Sequence, residues 1–173
     1  MKILNPKRRA LLALGLLLSW SAFTYADRLP VDLAKDWKFT KKDAGVTVPT
    51  AAWGAVTVPH TWNNMDVQQS ARPGAAPVYF RGPCWYARTL DVPATWQGKR
   101  IFIRFEAASI VAQVYLNGQL LGEHRGAFTA FCFELTSHLK FGQPNELRVR
   151  VDNANQAERQ AKQSQKKGLA ETF

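Results

Sequence analysis

Val114-Tyr115-Leu116-Asn117-Gly118-Gln119-Leu120-Leu121 sets two short apolar runs on either side of Asn-Gly. A two-residue loop of the type I′ kind needs positive φ at both central positions, and Asn-Gly supplies it most readily. The stretch reads as a tight β-hairpin. Outward from it a period of two recurs. Ile101, Ile103 and Phe105 share one face of Ile101-Phe102-Ile103-Arg104-Phe105, and Phe131, Phe133 and Leu135 form another inward face. In Glu146-Leu147-Arg148-Val149-Arg150-Val151, Leu147, Val149 and Val151 point in, while Glu146, Arg148 and Arg150 point out. Trp85 to Val92 forms a further strand ended by Pro93, and Trp37-Lys38-Phe39 and Val56-Thr57-Val58 supply early ones. No segment of helical length shows an apolar period of 3.6. Many short strands separated by turn signals argue for an all-β sandwich.

Several motifs then fall in a recognisable order. They are Val58-Pro59-His60-Thr61-Trp62-Asn63, Arg81-Gly82-Pro83-Cys84-Trp85-Tyr86-Ala87-Arg88, Val114 to Gly122, Arg125-Gly126-Ala127-Phe128-Thr129 and Val149-Arg150-Val151-Asp152-Asn153. From about Leu33 to Asn153 the chain resembles the N-terminal sugar-binding domain of glycoside hydrolase family 2, which contains β-galactosidases, β-glucuronidases and β-mannosidases. The resemblance implies a jelly-roll sandwich of the galactose-binding-like type, a fold that packs two sheets to limit exposed edges. It also implies a β/α barrel C-terminal to this domain that carries the catalytic pair.

The ends of the chain read differently. Met1 to Arg9 holds Lys2, Lys7, Arg8 and Arg9, Ala10 to Leu18 is almost unbroken Leu and Ala, and Thr24-Tyr25-Ala26 offers small residues for cleavage. This is the layout of a secretory signal peptide over 1–26, so an exported product, periplasmic or secreted, is expected. The apolar run is too short to span a bilayer comfortably, so no membrane association is expected after cleavage. The net charge of +10 is spread out: the leader holds 4 of the 23 basic residues and none of the 13 acids, so the remainder carries +6. No basic stripe interleaved with stacking aromatics appears, which argues against a nucleic-acid partner. Cys84 and Cys132 permit one disulfide in an exported chain, or are two small apolar residues on strands. Residues 154–173, with Gln and Lys but almost no large apolar side chain, cannot build a buried strand. Relatives carry a Gly-Gly-x-Tyr-Arg-like segment there that completes the sandwich. A disordered or weakly helical tail, and a sandwich lacking its closing strand, are expected.

The chemistry of a glycosidase is missing from the sequence. A retaining enzyme needs two carboxyl groups about 5 to 5.5 Å apart across the glycosidic bond. Asp91, Glu106, Glu123, Glu134 and Glu146 lie at or beside strands and turns and read as solvated edge charges. No nucleophile elbow, phosphate loop or zinc helix is present, and no cofactor or metal is expected. What remains is sugar contact. Aromatic faces cover the C–H side of a pyranose, and amides, carboxylates and Arg take the hydroxyls. The loop from His60 to Arg81 offers Asn63, Asn64, Asp66 and Arg81, with His60 and Trp62 packing at a strand end. Asn63, Asn64 and Asp66 also suit ordinary turn chemistry. The resemblance adds Asp152-Asn153, where an acidic or amide group of relatives reaches a sugar hydroxyl; a strand-ending Asx turn is the alternative. Gly126 serves backbone conformation, Phe128 is expected to anchor its turn to the core, and His124 is read as a satisfied side chain.

The resulting expectation is a signal peptide at 1–26, a sugar-binding jelly roll at 27–153 and a tail at 154–173. Its role would be that of the non-catalytic domain of a β-galactosidase-like family 2 hydrolase, with a β-galactoside-like carbohydrate as partner through a barrel outside this chain. On this reading the chain is a truncated fragment. An autonomous secreted carbohydrate-binding module and a docking domain for a separately encoded barrel are the alternatives.

Overall fold

The computed structural model describes residues 28–64, 79–155, 157–161 and 164. The signal-peptide segment and Asp66 lie outside the described residues. Two compact units are present, Met1–Asp32 and Leu33–Phe173, and residues 28–32 of the first form neither strand nor helix. The second unit holds eight described strands: β1 Trp37–Thr40, β2 Gly54–Val56, β3 Pro83–Asp91, β4 Phe102–Phe105, β5 Val111–Leu116, β6 Gln119–Arg125, β7 Phe131–Glu134 and β8 Pro144–Asp152. They pair antiparallel into a six-stranded sheet of order β2-β1-β3-β8-β5-β6 and a two-stranded sheet β4-β7. Neither sheet closes: β2 and β6 are the edges of one, β4 and β7 of the other, among the described residues. The all-β, galactose-binding-like sandwich expected from the sequence is the fold observed.

Alternation decides which side chains meet. Trp37, Tyr86, Leu90, Val114, Leu116, Leu147, Val149 and Val151 from the large sheet cluster with Ile103 and Leu135 from the small sheet and its exit. Phe105, Phe131 and Phe133 pack onto that cluster, with Phe105 and Phe131 stacked 4.9 Å apart. Each fully buried apolar side chain of this kind contributes about 1.5–3 kcal/mol. The sheets meet closely at Gly122, where an added Cβ would lie 2.4 Å from Phe133 Cε1.

The hairpin at Asn117-Gly118 has the dihedrals its sequence demands, φ 51° and 84°. Its Asn does more than turn the chain. Asn117 Nδ2 donates to His138 O at 3.0 Å and to Asn145 Oδ1 at 2.9 Å, while Asn117 Oδ1 accepts from Glu146 N at 3.0 Å. Asn145, 0% exposed, ties this knot to the loop before β8.

Arg148 points away from the core, as its alternation requires, yet it is only 4% exposed. A strap between β1 and β2 crosses the outer face of the large sheet. Arg148 Nη1 donates to Val48 O at 2.8 Å and Gly45 O at 3.3 Å, and its guanidinium lies 5.6 Å from the Trp53 ring centre. Asp43 accepts from Trp85 Nε1 at 2.9 Å and from Arg150 Nε and Nη2 at 2.9 and 3.0 Å. Cys84 is buried on β3, Cys132 is exposed on β7, and they are not disulfide-bonded.

One expectation changes. Phe128 does not anchor its turn to the core; it is 93% exposed. The loop is fixed instead by His124, which hydrogen-bonds Thr129 Oγ1 at 3.2 Å and stacks on Phe131 at 4.2 Å. Gly126, at φ 157°, is held there because a Cβ would sit 3.0 Å from both His124 Nε2 and Thr129 Oγ1. The tail, expected to be disordered or weakly helical, is helical at residues 157–161 and 164. Asn155 Oδ1 accepts from Glu158 N at 2.8 Å and Glu158 Oε2 accepts from Asn155 N at 2.9 Å, a reciprocal capping box that starts this helix.

Candidate functional site

Antiparallel pairing brings the start of β3, the end of β8, the start of β5 and the end of β6 to one end of the large sheet. Pro83 faces Asp152, Val111 faces Asp152 on the other side, and Val111 faces Arg125. Ile110 N donates to Asp152 O and Gly126 N to Ile110 O, both at 2.9 Å, so the strand ends are laced together. Four of the six residues proposed from sequence for sugar contact stand in or beside this lacing.

The hub is a backbone carbonyl. Phe80 O accepts from Asn63 Nδ2 at 3.2 Å and from Asn153 Nδ2 at 3.1 Å, and Asn153 Oδ1 accepts from Gly82 N at 2.9 Å. Both Asn side chains therefore fix the entry to β3. Asn63 Oδ1 is buried without a protein hydrogen bond. Arg81 is exposed, with Nη1 3.5 Å from Glu158 Oε1. Lys41 Nζ lies 5.9 Å from the centre of the Phe80 ring.

Asp152 is 6% exposed, and its Oδ1 accepts from Ala154 N at 2.9 Å. That is the Asx turn proposed as the alternative to ligand contact. Asn64 is exposed in the turn that ends the described part of its loop. The structure thus brings Asn63, Arg81, Asp152 and Asn153 to one end of the large sheet. Sequence reading missed Phe80, whose carbonyl carries no sequence signal, and Glu158. The spacing of Asn155 and Glu158 was the available clue to the second, since Asn-x-x-Glu is a helix-start pattern.

Beneath the hub lies an aromatic cluster. His60 Nδ1 hydrogen-bonds Tyr86 Oη at 2.9 Å, and Phe39 packs 4.6 Å from His60 and 6.1 Å from Trp62. His60 and Trp62 pack at a strand end, as expected. Burial, and secondarily the Lys41 charge, lower the His60 pKa, and burial raises that of Tyr86.

Two described carboxylates are shifted away from general-acid duty. Glu106 and Glu134 are held below the ordinary carboxylate range, chiefly by hydrogen bonds from Arg104 and Arg100 at 2.9 and 2.8 Å. Glu123 pairs with Arg125 at 2.6 Å and Glu146 with Arg148 at 2.8 Å. A general acid working near neutral pH needs the opposite shift. The arrangement offers amide and guanidinium groups that can hold and orient hydroxyls.

Residues 37–172 match the family model described as the glycosyl hydrolase 2 galactose-binding domain-like. The chain belongs to this family. It is 34% identical over 137 residues to a β-glucuronidase of Formosa agariphila, covering 75% of this chain and 14% of the relative. To a Bacteroides fragilis β-glucuronidase it is 36% identical over 142 residues, covering 81% and 19%. A Bacteroides uniformis β-glucuronidase structure superposes with a TM-score of 0.63 at 38% identity, over 72% of this chain and 14% of that one. The family 2 domain thus spans less than a fifth of the curated relatives named here.

Proposed function

We propose that this family 2 domain is the non-catalytic sugar-contacting part of a glycosidase of the β-glucuronidase or β-galactosidase kind. Hydrolysis of the O-glycosyl bond would take place on a catalytic barrel outside the residues given, with this domain buttressing it. We further propose that the polypeptide is exported under the leader at 1–26, to the periplasm or beyond. The observation that carries the reading is the laced sheet end, where Asn63 keeps a buried acceptor unpaired beside exposed Arg81 and the Asn153-braced entry to β3. Convergent amide and guanidinium groups on a rigid scaffold are what a polyhydroxylated ligand requires.

The test is a chemical-shift titration of the chain with methyl β-glucuronide and methyl β-galactoside. Saturable shifts at the Asn63 and Asn153 side-chain amides and the Gly82 backbone amide are expected at millimolar sugar. Shifts scattered over the surface, or none, would overturn the assignment. A parallel assay with nitrophenyl glycosides should show no hydrolysis by the chain alone; turnover that survives repurification would contradict the absence of a catalytic pair.

A further inference from the structure

Among the described residues three Phe or Tyr rings stand well into solvent: Tyr79 at 46%, Phe102 at 48% and Phe128 at 93% exposed. Phe102 lies on the small sheet, with the Arg100 guanidinium 4.9 Å from its ring centre. The other two flank the laced end of the large sheet. Tyr79 adjoins Phe80, whose carbonyl takes the Asn63 and Asn153 amides just before β3 begins. Phe128 follows β6, in the loop whose Gly126 N donates to Ile110 O. Both rings are carried on fixed backbone. The two amides hold the residue after Tyr79, and the hydrogen bond of His124 to Thr129 with its stack on Phe131 closes the other loop without burying Phe128. Between β3 and β6 run β8 and β5. Three strand spacings of ~4.8 Å put the strand ends from which the rings depart about 14 Å apart.

We infer that this end of the sheet takes an extended oligosaccharide rather than a single sugar, with Tyr79 and Phe128 as its two aromatic platforms. This rests on the reading of that end as a sugar-contact surface. An aromatic face covers the C–H side of a pyranose and leaves the hydroxyls to polar groups around it. Tyr79 offers that face beside the Asn63 and Asn153 amides. One pyranose ring is much smaller than the gap between the platforms, so a monosaccharide on Tyr79 leaves Phe128 bare. A chain of linked sugars reaches both. Tyr79 thereby binds the sugar, and Phe128 reads the length of the ligand. Aromatic rings have few rotatable bonds, and these two stand on ordered chain, so little entropy is lost on contact. Packing gives the Phe128 ring no reason to be where it is, which leaves contact with a ligand as its use.

The experiment titrates the unmodified chain with two pairs of probes: methyl β-galactoside against β-1,4-linked galactotetraose, and methyl β-glucuronide against a hyaluronan tetrasaccharide. One tetrasaccharide at least should bind about two- to tenfold more tightly than its methyl glycoside, the scale of one aromatic contact. Phe128→Ala should abolish that gain and leave the methyl glycoside unchanged. Tyr79→Ala should weaken both members of the pair, and Tyr79→Trp, which keeps an aromatic face, should restore them. Phe102→Ala removes an exposed ring elsewhere and should change neither. Melting curves on each variant separate lost contact from lost folding. If the tetrasaccharides bind no more tightly than the methyl glycosides, or if Phe128→Ala keeps the gain, the extended-ligand inference is overturned while the sugar-contact reading stands. If Phe102→Ala costs as much as Phe128→Ala, the contact is general stickiness and the inference is again overturned. If no sugar binds the unmodified chain, the sugar-contact reading itself fails and the platforms fail with it.

Discussion

Replacing Asn145 by Ala isolates the polar knot that ties the Asn117 hairpin to the loop before β8. The Asn145 side chain makes four hydrogen bonds: Oδ1 accepts from Lys140 N at 2.7 Å and Asn117 Nδ2 at 2.9 Å, and Nδ2 donates to Lys140 O and Gln143 O, each at 2.9 Å. Each such bond contributes a net ~0.5–1.5 kcal/mol, so four bring the cost to about 2–6 kcal/mol. Lys140 and Gln143 lie in exposed chain, where water can reclaim their backbone groups. That places Asn145→Ala in the lower half, about 2–4 kcal/mol, against a typical stability of about 5–15. In urea, with a slope of about 2 kcal/mol/M, the midpoint should drop by about 1–2 M at constant slope, followed by far-UV dichroism. Asn145→Asp is the discriminating partner variant. It keeps the Oδ1 acceptor but turns the donor facing Lys140 O and Gln143 O into a carboxylate oxygen. Burial and two facing carbonyls must raise that carboxyl's pKa above its unfolded ~3.9, so this variant should gain stability as pH falls toward 4. A loss below about 1 kcal/mol for Asn145→Ala, or a flat pH response for Asn145→Asp, would show that the knot does not hold the hairpin end.

Four further outcomes follow from particular contacts. Gly122→Ala drives a Cβ into the Phe133 ring 2.4 Å away, so a loss of about 1–3 kcal/mol is expected; Phe133→Leu in the same background should recover part of it in a double-mutant cycle. Arg148→Met releases Val48 O, Gly45 O and the Trp53 ring, so tryptic cleavage at Lys41 and Lys42 should accelerate while the sandwich stays folded; unchanged cleavage would mean the strap is held without it. His60 has a lowered folded pKa, so the folded state binds fewer protons than the unfolded one. Its contribution is complete above the unfolded value near ~6.5 and is lost as pH falls through the lower folded value; the melting temperature should decline from pH 8 to 5.5, and less steeply in His60→Gln. Phe128→Ser should change stability by no more than about 0.5 kcal/mol, since the ring is 93% exposed; a larger loss in a melting curve would restore the core-anchor reading.

What the sequence disclosed was the local part of the structure. Asn117-Gly118 requires a particular turn whatever surrounds it, and the alternation of Leu147, Val149 and Val151 can be satisfied on one sheet face only. Asn63 and Arg81 came from the residue types of one loop and Asp152-Asn153 from the family resemblance; that the four stand at one sheet end follows from the strand pairing of the fold. Arg148 shows where such reasoning stops. Its alternation gives the direction correctly, but its burial depends on carbonyls about a hundred residues away, at Gly45 and Val48. Asn145 likewise carries no periodic signal; only the fold reveals that its two faces meet a turn and a loop. Phe128 fails for the opposite reason. Aromatics in turns often fill cores, and here the His124–Thr129–Phe131 contacts already close the loop without it.

The same distinction separates holding from binding at the sugar-contact end. Asn153 uses both polar atoms of its amide on backbone groups, and Asp152 spends one oxygen on Ala154 N, so replacing either unsettles the entry to β3 or the exit from β8 before it touches any ligand. Asn63 uses only its Nδ2, and its buried Oδ1 has no protein partner. Arg81 is exposed, with Glu158 Oε1 3.5 Å from its Nη1. Asn63→Asp is therefore the sharpest probe of the four. It keeps the unpaired acceptor and loses the donor to Phe80 O. A structural role alone predicts lower stability with unchanged sugar affinity for whatever fraction remains folded. A ligand role predicts that affinity itself changes, because the free oxygen now carries charge toward the incoming hydroxyl. Measuring both quantities on the same variant separates the two roles, and a change confined to stability would remove Asn63 from the contact set and leave Arg81 as its principal member.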